Sequence, residues 1–429
     1  MLEKLFQLQA NGTTVRREAV AGLTTFLTMA YIIFVNPSIL QIAGMDFGAV
    51  FMATCLAAAF GSAFMGLYAN YPIALAPGMG LNAYFTFGVV KGMGYAWETA
   101  LGAVFISGLL FLALSLAKVR EWIVNAIPLS MKLGIAAGIG LFLAIIALQN
   151  AKIVVDHPAT LVTIGDLKSL PVLLAALGFT LIAALSSRRI PGAIIISILV
   201  VTAMAIGLGL AEFKGVASAP PSIAPTFLKM DLKGAIEVGL WTIIFIFLFV
   251  DLFDNTGTLI GVAHQGGFLD KDGKLPRIGR ALVVDSTSAS VGAALGTSTT
   301  TSYIESVAGV EAGGRTGLTA VVVALCFLLA TFFAPLASTV PAFATAPALL
   351  YVACLMAKGV KDLDWEDPTE FVPAMVTAIT MPLTFSIAHG IGVGFIVYAA
   401  IKILAGRWSE MKIAAPLIAG LFIFKIFIT

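Results

Sequence analysis

Two carboxylates stand inside otherwise apolar stretches: Asp254 in GLWTIIFIFLFVDLFDNTGTLIGV (239–262) and Glu305 in GTSTTTSYIESVAGV (296–310). A charged carboxylate at the centre of a membrane helix costs about 2.5–3.5 kcal/mol on insertion scales, so a chain keeps one where it faces a partner, a cavity or a transported solute. Asp251 precedes Asp254 by three residues, which puts the two on one helix face about 5–6 Å apart. Neighbouring carboxylates in a low dielectric repel, and such a pair exchanges a proton readily, as proton coupling requires. Asn255, Thr256 and Thr258 extend a polar face suited to a hydrogen-bonding solute.

Glu305 follows the helix-poor run Gly296–Ser302, where a half-helix should begin. Its carboxylate is placed to accept a ligand N–H while the free backbone N–H groups of a new helix meet ligand carbonyls. The plainer account is a helix-start cap. Asn82 lies just after the Pro77-Gly78-Met79-Gly80 break and offers a donor and an acceptor at a similar depth; its plainer account is a turn-stabilising Asn.

The elements that must hold these groups are membrane helices. Of the 429 residues, 59% are hydrophobic and 11% charged, where soluble domains carry about 25% charged residues. Apolar spans fall at 17–39, 48–68, 71–90, 97–116, 130–149, 170–187, 191–210, 236–257, 278–295, 298–312, 316–334, 341–357, 370–387 and 389–405. The alternating pattern of an outer-membrane barrel is absent. A further segment, 412–428, is short and carries Lys425, and its placement stays open. With the N-terminus inside, 18 Lys and Arg residues, among them Lys118, Arg120, Lys271, Lys274 and Lys402, fall on the cytoplasmic side and six on the other. That asymmetry supports the orientation.

The longest outside loop, 211–235, divides the spans seven and seven, so the second half enters the membrane inverted relative to the first. The third span is interrupted by Pro72, Pro77, Gly78 and Gly80, and the tenth, its counterpart, by the Thr/Ser run. Paired interruptions mark the binding site of inverted-repeat transporters, because irregular backbone at membrane depth must be buried or line a cavity.

Other features read as structural. Cys55, Cys326 and Cys354 stand singly as small packing residues, and no His or Cys has metal-ligand spacing: His157 and His264 fall in loops, His389 in a short connection. Asp270-Lys271-Asp272-Gly273 resembles a calcium-loop fragment without the later Glu and reads as a tight turn. Gly134 and Gly138 form a helix-packing motif. Glu311 and Arg315 form a structural pair, and 361–370 is a solvated loop leading into a helix cap. There is no basic tract for nucleic acid, and no cofactor is expected.

The segments TTFLTMAYIIFVNPSIL (24–40), APGMGLNAYF (76–85), FVDLFDNTGTLIG (249–261), TTSYIESVAGVEAGGRTGLTA (300–320) and MPLTFSIAHGIGVGF (381–395) resemble the nucleobase–ascorbate transporter family. The resemblance is greatest to the AzgA-like branch that carries hypoxanthine, guanine and adenine. It implies an all-α polytopic fold of about fourteen helices in two inverted sevens, with short β-strands in spans 3 and 10. It further implies a core domain from 17–116 and 236–334, and a gate domain from 130–210 and 341–405. Substrate would sit between core and gate and move by alternating access. By register, the acids of relatives fall on Asp254 and Glu305 and their Asn on Asn82; the expected substrate contacts are Glu305, Asp254, Asn82, Thr258, Ile304 and Gly80, and the expected proton-coupling residues Asp254, Glu305 and Asp251. Uracil-type members carry a His where this chain has Thr258, which puts that coupling role in question. Phe26, Tyr31 and Tyr84 are candidates to stack on a base.

The expectation is a proton-coupled purine nucleobase importer in the cytoplasmic (inner) membrane, surrounded by lipid bilayer, with a homodimer left open. A transporter of the same architecture for xanthine, uracil or an inorganic anion is the alternative; an anion site calls for positive charge, whereas this chain places acids there. An enzyme is not expected, for lack of a metal, Ser–His or Cys–His constellation.

Overall fold

The computed structural model describes residues 2–117, 127–237, 240–270, 275–412 and 414–428. Lys118, Arg120, Lys271, Lys274 and the Asp272-Gly273 turn lie outside the described residues. In chain order α1 (Leu2–Phe6) and α2 (Val15–Met29) lead through a turn at Ala30 and Tyr31 into α3 (Ile32–Ile42), then α4 (Phe47–Phe64). β1 (Leu75–Pro77) and α5 (Met79–Ala83) follow, with a π-helical continuation over Tyr84–Gly92, then α6 (Trp97–Leu116) and α7 (Leu129–Asn150). The hairpin β2 (Val154–His157) and β3 (Leu161–Ile164) precedes α8 (Leu170–Ser187), α9 (Ala193–Gly207) and α10 (Leu232–Glu237). Then come α11 (Trp241–Gly266), α12 (Ile278–Leu295), β4 (Thr300–Ser302), α13 (Ser306–Glu311), α14 (Gly317–Ala330) and α15 (Ala334–Thr339). The chain closes with α16 (Ala342–Ala357), α17 (Pro368–Leu383), α18 (Ile387–Leu404) and α19 (Ala414–Ile428).

Among the described residues nine helical stretches are long and apolar enough to cross a membrane. The other five expected spans are the shorter or broken elements: β1 with α5, α9, α12, β4 with α13, and α17. The two interrupted spans meet. β1 pairs antiparallel with β4 in the register Leu75↔Ser302, Ala76↔Thr301, Pro77↔Thr300. Ser62 Oγ clips β1 to α4, accepting from Leu75 N (3.0 Å) and donating to Leu75 O (3.2 Å). Helix ends carry the expected chemistry: Asp46 accepts from Ala49 N at 2.7 Å to cap α4. Gly296 ends α12 at φ +100°, and a Cβ there would come within 2.2 Å of Thr226 Cβ, so only glycine fits.

Compactness divides the chain into two units, Met1–Ala117 with Leu173–Ala348, and Lys118–Val172 with Leu349–Thr429. This division differs from the expected core and gate: most of α8, all of α9 and the start of α16 group with the first unit. In the first unit α14 packs on α2 and α4, and α12 on α4 and α6. In the second, α17 packs on both α7 and α18, and α18 on α19. The Gly134/Gly138 motif works as a close-approach site there: an added Cβ would stand 2.7 Å from Ala374 Cα and 3.0 Å from Ala378 Cα of α17.

Several boundaries differ from the hydropathy reading. Hydropathy predicts the eighth span at 236–257, whereas α11 runs over Trp241–Gly266 and carries His264 in its last turn. Asn255, Thr256 and Thr258 around the expected end are buried, and the helix continues until Gly267 at φ +66° caps it. His389 lies in the first turn of α18 rather than in a connection, and His157 ends β2 rather than lying in a loop.

Candidate functional site

The site grows from the strand crossing. Beyond the register pairs, Gly78 N donates to Thr299 O (2.9 Å), Tyr303 N to Ala74 O (2.9 Å) and Tyr303 Oη to Pro77 O (2.5 Å). Ala74 N in turn donates to Ser306 Oγ at 3.0 Å. These bonds place Glu305 at the entry to α13. It occupies the N-cap position, yet its side chain makes no cap hydrogen bond. The carboxylate is thereby left for other work.

One partner of that carboxylate is Tyr31, whose hydroxyl donates to Glu305 Oε1 at 2.6 Å. The turn between α2 and α3 delivers Tyr31 to this point, and Thr28 Oγ1 reaches the Glu305 carbonyl at 3.4 Å. Asp254 of α11 lies near enough to feel the charge of Glu305, and its own charge reaches Tyr31 and Tyr303. Both acids are half-buried. One turn on from Asp254, Gly257 has no atom within 4 Å of where a Cβ would stand, and at Gly261 the nearest is Ile304 Cδ1 at 3.3 Å. Ile304 itself is 45% exposed. Asp254, Gly257, Ile304 and Glu305 thus share an accessible face: two acceptor groups beside open space over a smooth helix surface.

The remaining expected residues lie deeper. Thr258, Gly80 and Asp251 are buried. The continuous polar face expected on α11 divides: Asn255 is fully buried, and Thr256 Oγ1 donates to Leu252 O of its own helix at 2.6 Å. Asn82 is 0% exposed. Its Nδ2 donates to Asn36 Oδ1 at 2.5 Å, and its Oδ1 accepts from Ser298 Oγ. Of the stacking candidates, Tyr84 is buried against Phe247 with ring centroids 5.2 Å apart, and Phe26 packs edge-on against Phe327. Phe26 also lines an apolar cavity of about 270 Å³ with Phe34, Leu199, Cys326 and Phe333. That cavity offers a nucleobase-sized solute nothing to hydrogen-bond.

Sequence reasoning passed over three buried polar groups. Glu18 is fully buried and accepts from Arg315 N (2.9 Å), Thr316 N (3.2 Å), Thr319 N (3.2 Å) and Thr319 Oγ1 (2.6 Å), tying α2 to the start of α14. The expected Glu311–Arg315 pair is not among the ion pairs of the described residues; the Arg315 guanidinium instead donates to Val310 O and Gly314 O, each at 2.8 Å. Asn36 is fully buried and donates to Thr54 and Thr297. In the second unit Lys402, counted above among the cytoplasmic-side cations, is 1% exposed and bonds Glu370 at 2.8 Å and Glu410 at 3.0 Å. Glu370 therefore belongs to a partly buried ion pair at the start of α17 rather than a solvated loop. Each of the three was visible as a lone polar residue at or inside an apolar span, the signal that singled out Asp254.

A helical, multiply spanning chain whose broken spans cross beside paired acids is a membrane permease. A profile of the Permease family (Xan_ur_permease) matches residues 16–393, and the chain belongs to this family of nucleobase–ascorbate transporters. It is 51% identical over 426 residues to the adenine permease AdeP of Escherichia coli (99% of this chain, 96% of that one). It is 47% identical over 434 residues to the guanine/hypoxanthine permease PbuG of Bacillus subtilis (98% of each). The transmembrane domain of the cyanobacterial bicarbonate transporter BicA shares the fold, with a TM-score of 0.65 at 18% identity over 88% of this chain and 96% of that one.

Proposed function

We propose that the chain imports purine nucleobases, adenine or guanine/hypoxanthine, by proton symport across the cytoplasmic membrane, with its N-terminus inside. The observation that carries the reading is the pair Glu305 and Asp254, half-buried on one accessible face, in a chain about half identical to adenine and guanine/hypoxanthine permeases. A neutral purine presents N–H donors along its edge, and two carboxylates are the acceptors that match them. Ile304 bounds the same face, and Thr258 backs it from below the surface. Gly80 and Asn82 shape the opening of α5 from behind, and Asp251, one turn before Asp254, takes part in holding the proton. The moving core comprises 17–116 and 236–334 and the gate 130–210 and 341–405, with α8 and α9 as the elements whose assignment motion must decide. An elevator or rocking displacement completes the cycle.

The anion-carrier reading draws on the shared fold, but a buried anion needs positive charge, and the accessible face carries two acids instead. Uptake of labelled adenine, guanine and hypoxanthine, with sulfate and uracil as competitors and with or without a protonophore, tests the reading. We expect purine uptake that collapses with the proton gradient and is lost in Glu305→Gln while the protein remains inserted. Gradient-driven uptake of wild-type size in Glu305→Gln would overturn the assignment.

A further inference from the structure

Asn36 lies on α3 five residues beyond Tyr31 and is 0% exposed. Its Nδ2 donates to Thr54 Oγ1 on α4 (2.7 Å) and to Thr297 Oγ1 ahead of β4 (2.9 Å), while its Oδ1 accepts from Asn82 Nδ2 on α5 (2.5 Å). Asn82 Oδ1 accepts from Ser298 Oγ and so closes the ring. One amide therefore joins the first span, the opening of α5 and the segment that leads into β4. These last two are the stretches where the chain leaves the helix. Each of their strands is only three residues long, so backbone pairing alone fixes them with few bonds.

We infer that Asn36 is a positioning residue for nucleobase binding, an inference that rests on the function proposed above. It holds the two broken spans in register without touching the ligand. The turn that opens the helix carrying Asn36 holds Tyr31, the donor to Glu305, so α3 and its N-cap set both the strand crossing and the orientation of the acid. A buried network of this kind, with its amides bonded on both sides, is stiff because every shift breaks a bond that water cannot replace. Without Asn36, α5 and the 297–298 segment are free to slide relative to Glu305, and the ligand binds a site whose acceptors are out of place.

The test uses the full chain in cells without endogenous purine uptake, with transporter in the membrane quantified and KM and Vmax measured for labelled adenine and hypoxanthine. Asn36→Ala removes all three of its side-chain bonds and should raise KM about tenfold or more, with Vmax per inserted transporter within about twofold of wild type. Asn82→Ala should do the same, and the double variant should be no worse than the stronger single one, since the pair acts as a unit. Thr297→Val and Ser298→Ala each remove one bond at the edge of the ring and should raise KM about threefold. They decide the matter where Asn36→Ala does not insert. Thr202→Val is the comparison for a buried hydroxyl that bonds only its own helix, to Ile198 O at 2.7 Å; it should leave KM unchanged. An inserted Asn36→Ala with wild-type KM, additive effects in the double variant, or wild-type KM in both edge variants would overturn the inference. A wild type that takes up none of the purines would instead overturn the function it rests on.

Discussion

Replacing Tyr31 with phenylalanine removes one oxygen atom, the donor of the 2.6 Å bond to Glu305 Oε1. A hydrogen bond to a charged acceptor contributes about 1.5–3 kcal/mol. Glu305 is half-buried rather than sealed, so solvent can take over part of the donor's role, and the lower end of that range applies. A loss of about 1.5 kcal/mol in holding the acid corresponds to roughly tenfold in KM. Tyr31 is 1% exposed, and phenylalanine fills the same space, so no cavity opens and the unfolding temperature should stay within about 2–4 °C of wild type. Concentration-dependent uptake of labelled adenine, with thermal unfolding of the purified protein alongside, reads both quantities. A wild-type KM in Tyr31→Phe would show that the bond does not orient the acid for ligand. A fall in uptake that tracks only the amount of folded protein would be equally damaging to the argument.

Gly257→Leu should place a side chain in the open space beside Asp254 and cut purine uptake by about tenfold or more, without lowering the unfolding temperature, because leucine is the better helix former. Uptake at the wild-type rate in that variant would mean that this face of α11 is not where the solute sits. In the second unit, hydrogen bonds from the Thr369 hydroxyl and backbone N–H, together with the Arg407 guanidinium, hold the Asp367 carboxyl down at about 2. A depressed folded-state pKa stabilises above the unfolded value, near 4, and that stabilisation is lost as pH falls toward 2. Asp367→Asn keeps the helix cap but loses the charge, so its deficit in unfolding temperature should be full at pH 6 and shrink steadily below pH 4. A deficit that does not change with pH would assign Asp367 to capping alone.

The period and length of the apolar runs settled the membrane class and the sequence of spans, because a bilayer leaves a backbone few ways to satisfy its polar groups. The breaks at Pro77–Gly80 and at the Thr/Ser run were equally legible, since proline, glycine and β-branched residues oppose helix locally. Asp254 and Glu305 stood out because an acid in an apolar segment needs a reason to be there. The chain alone did not reveal what each polar group would meet. Asn82 turned inward to Asn36 and Ser298 rather than toward the accessible face, the Tyr31 hydroxyl became a donor to Glu305, and the buried Lys402 found Glu370. Those partners lie tens to hundreds of residues away. Spacing along one helix says which side chains share a face, but only the packing of several helices decides whether that face meets solute or protein.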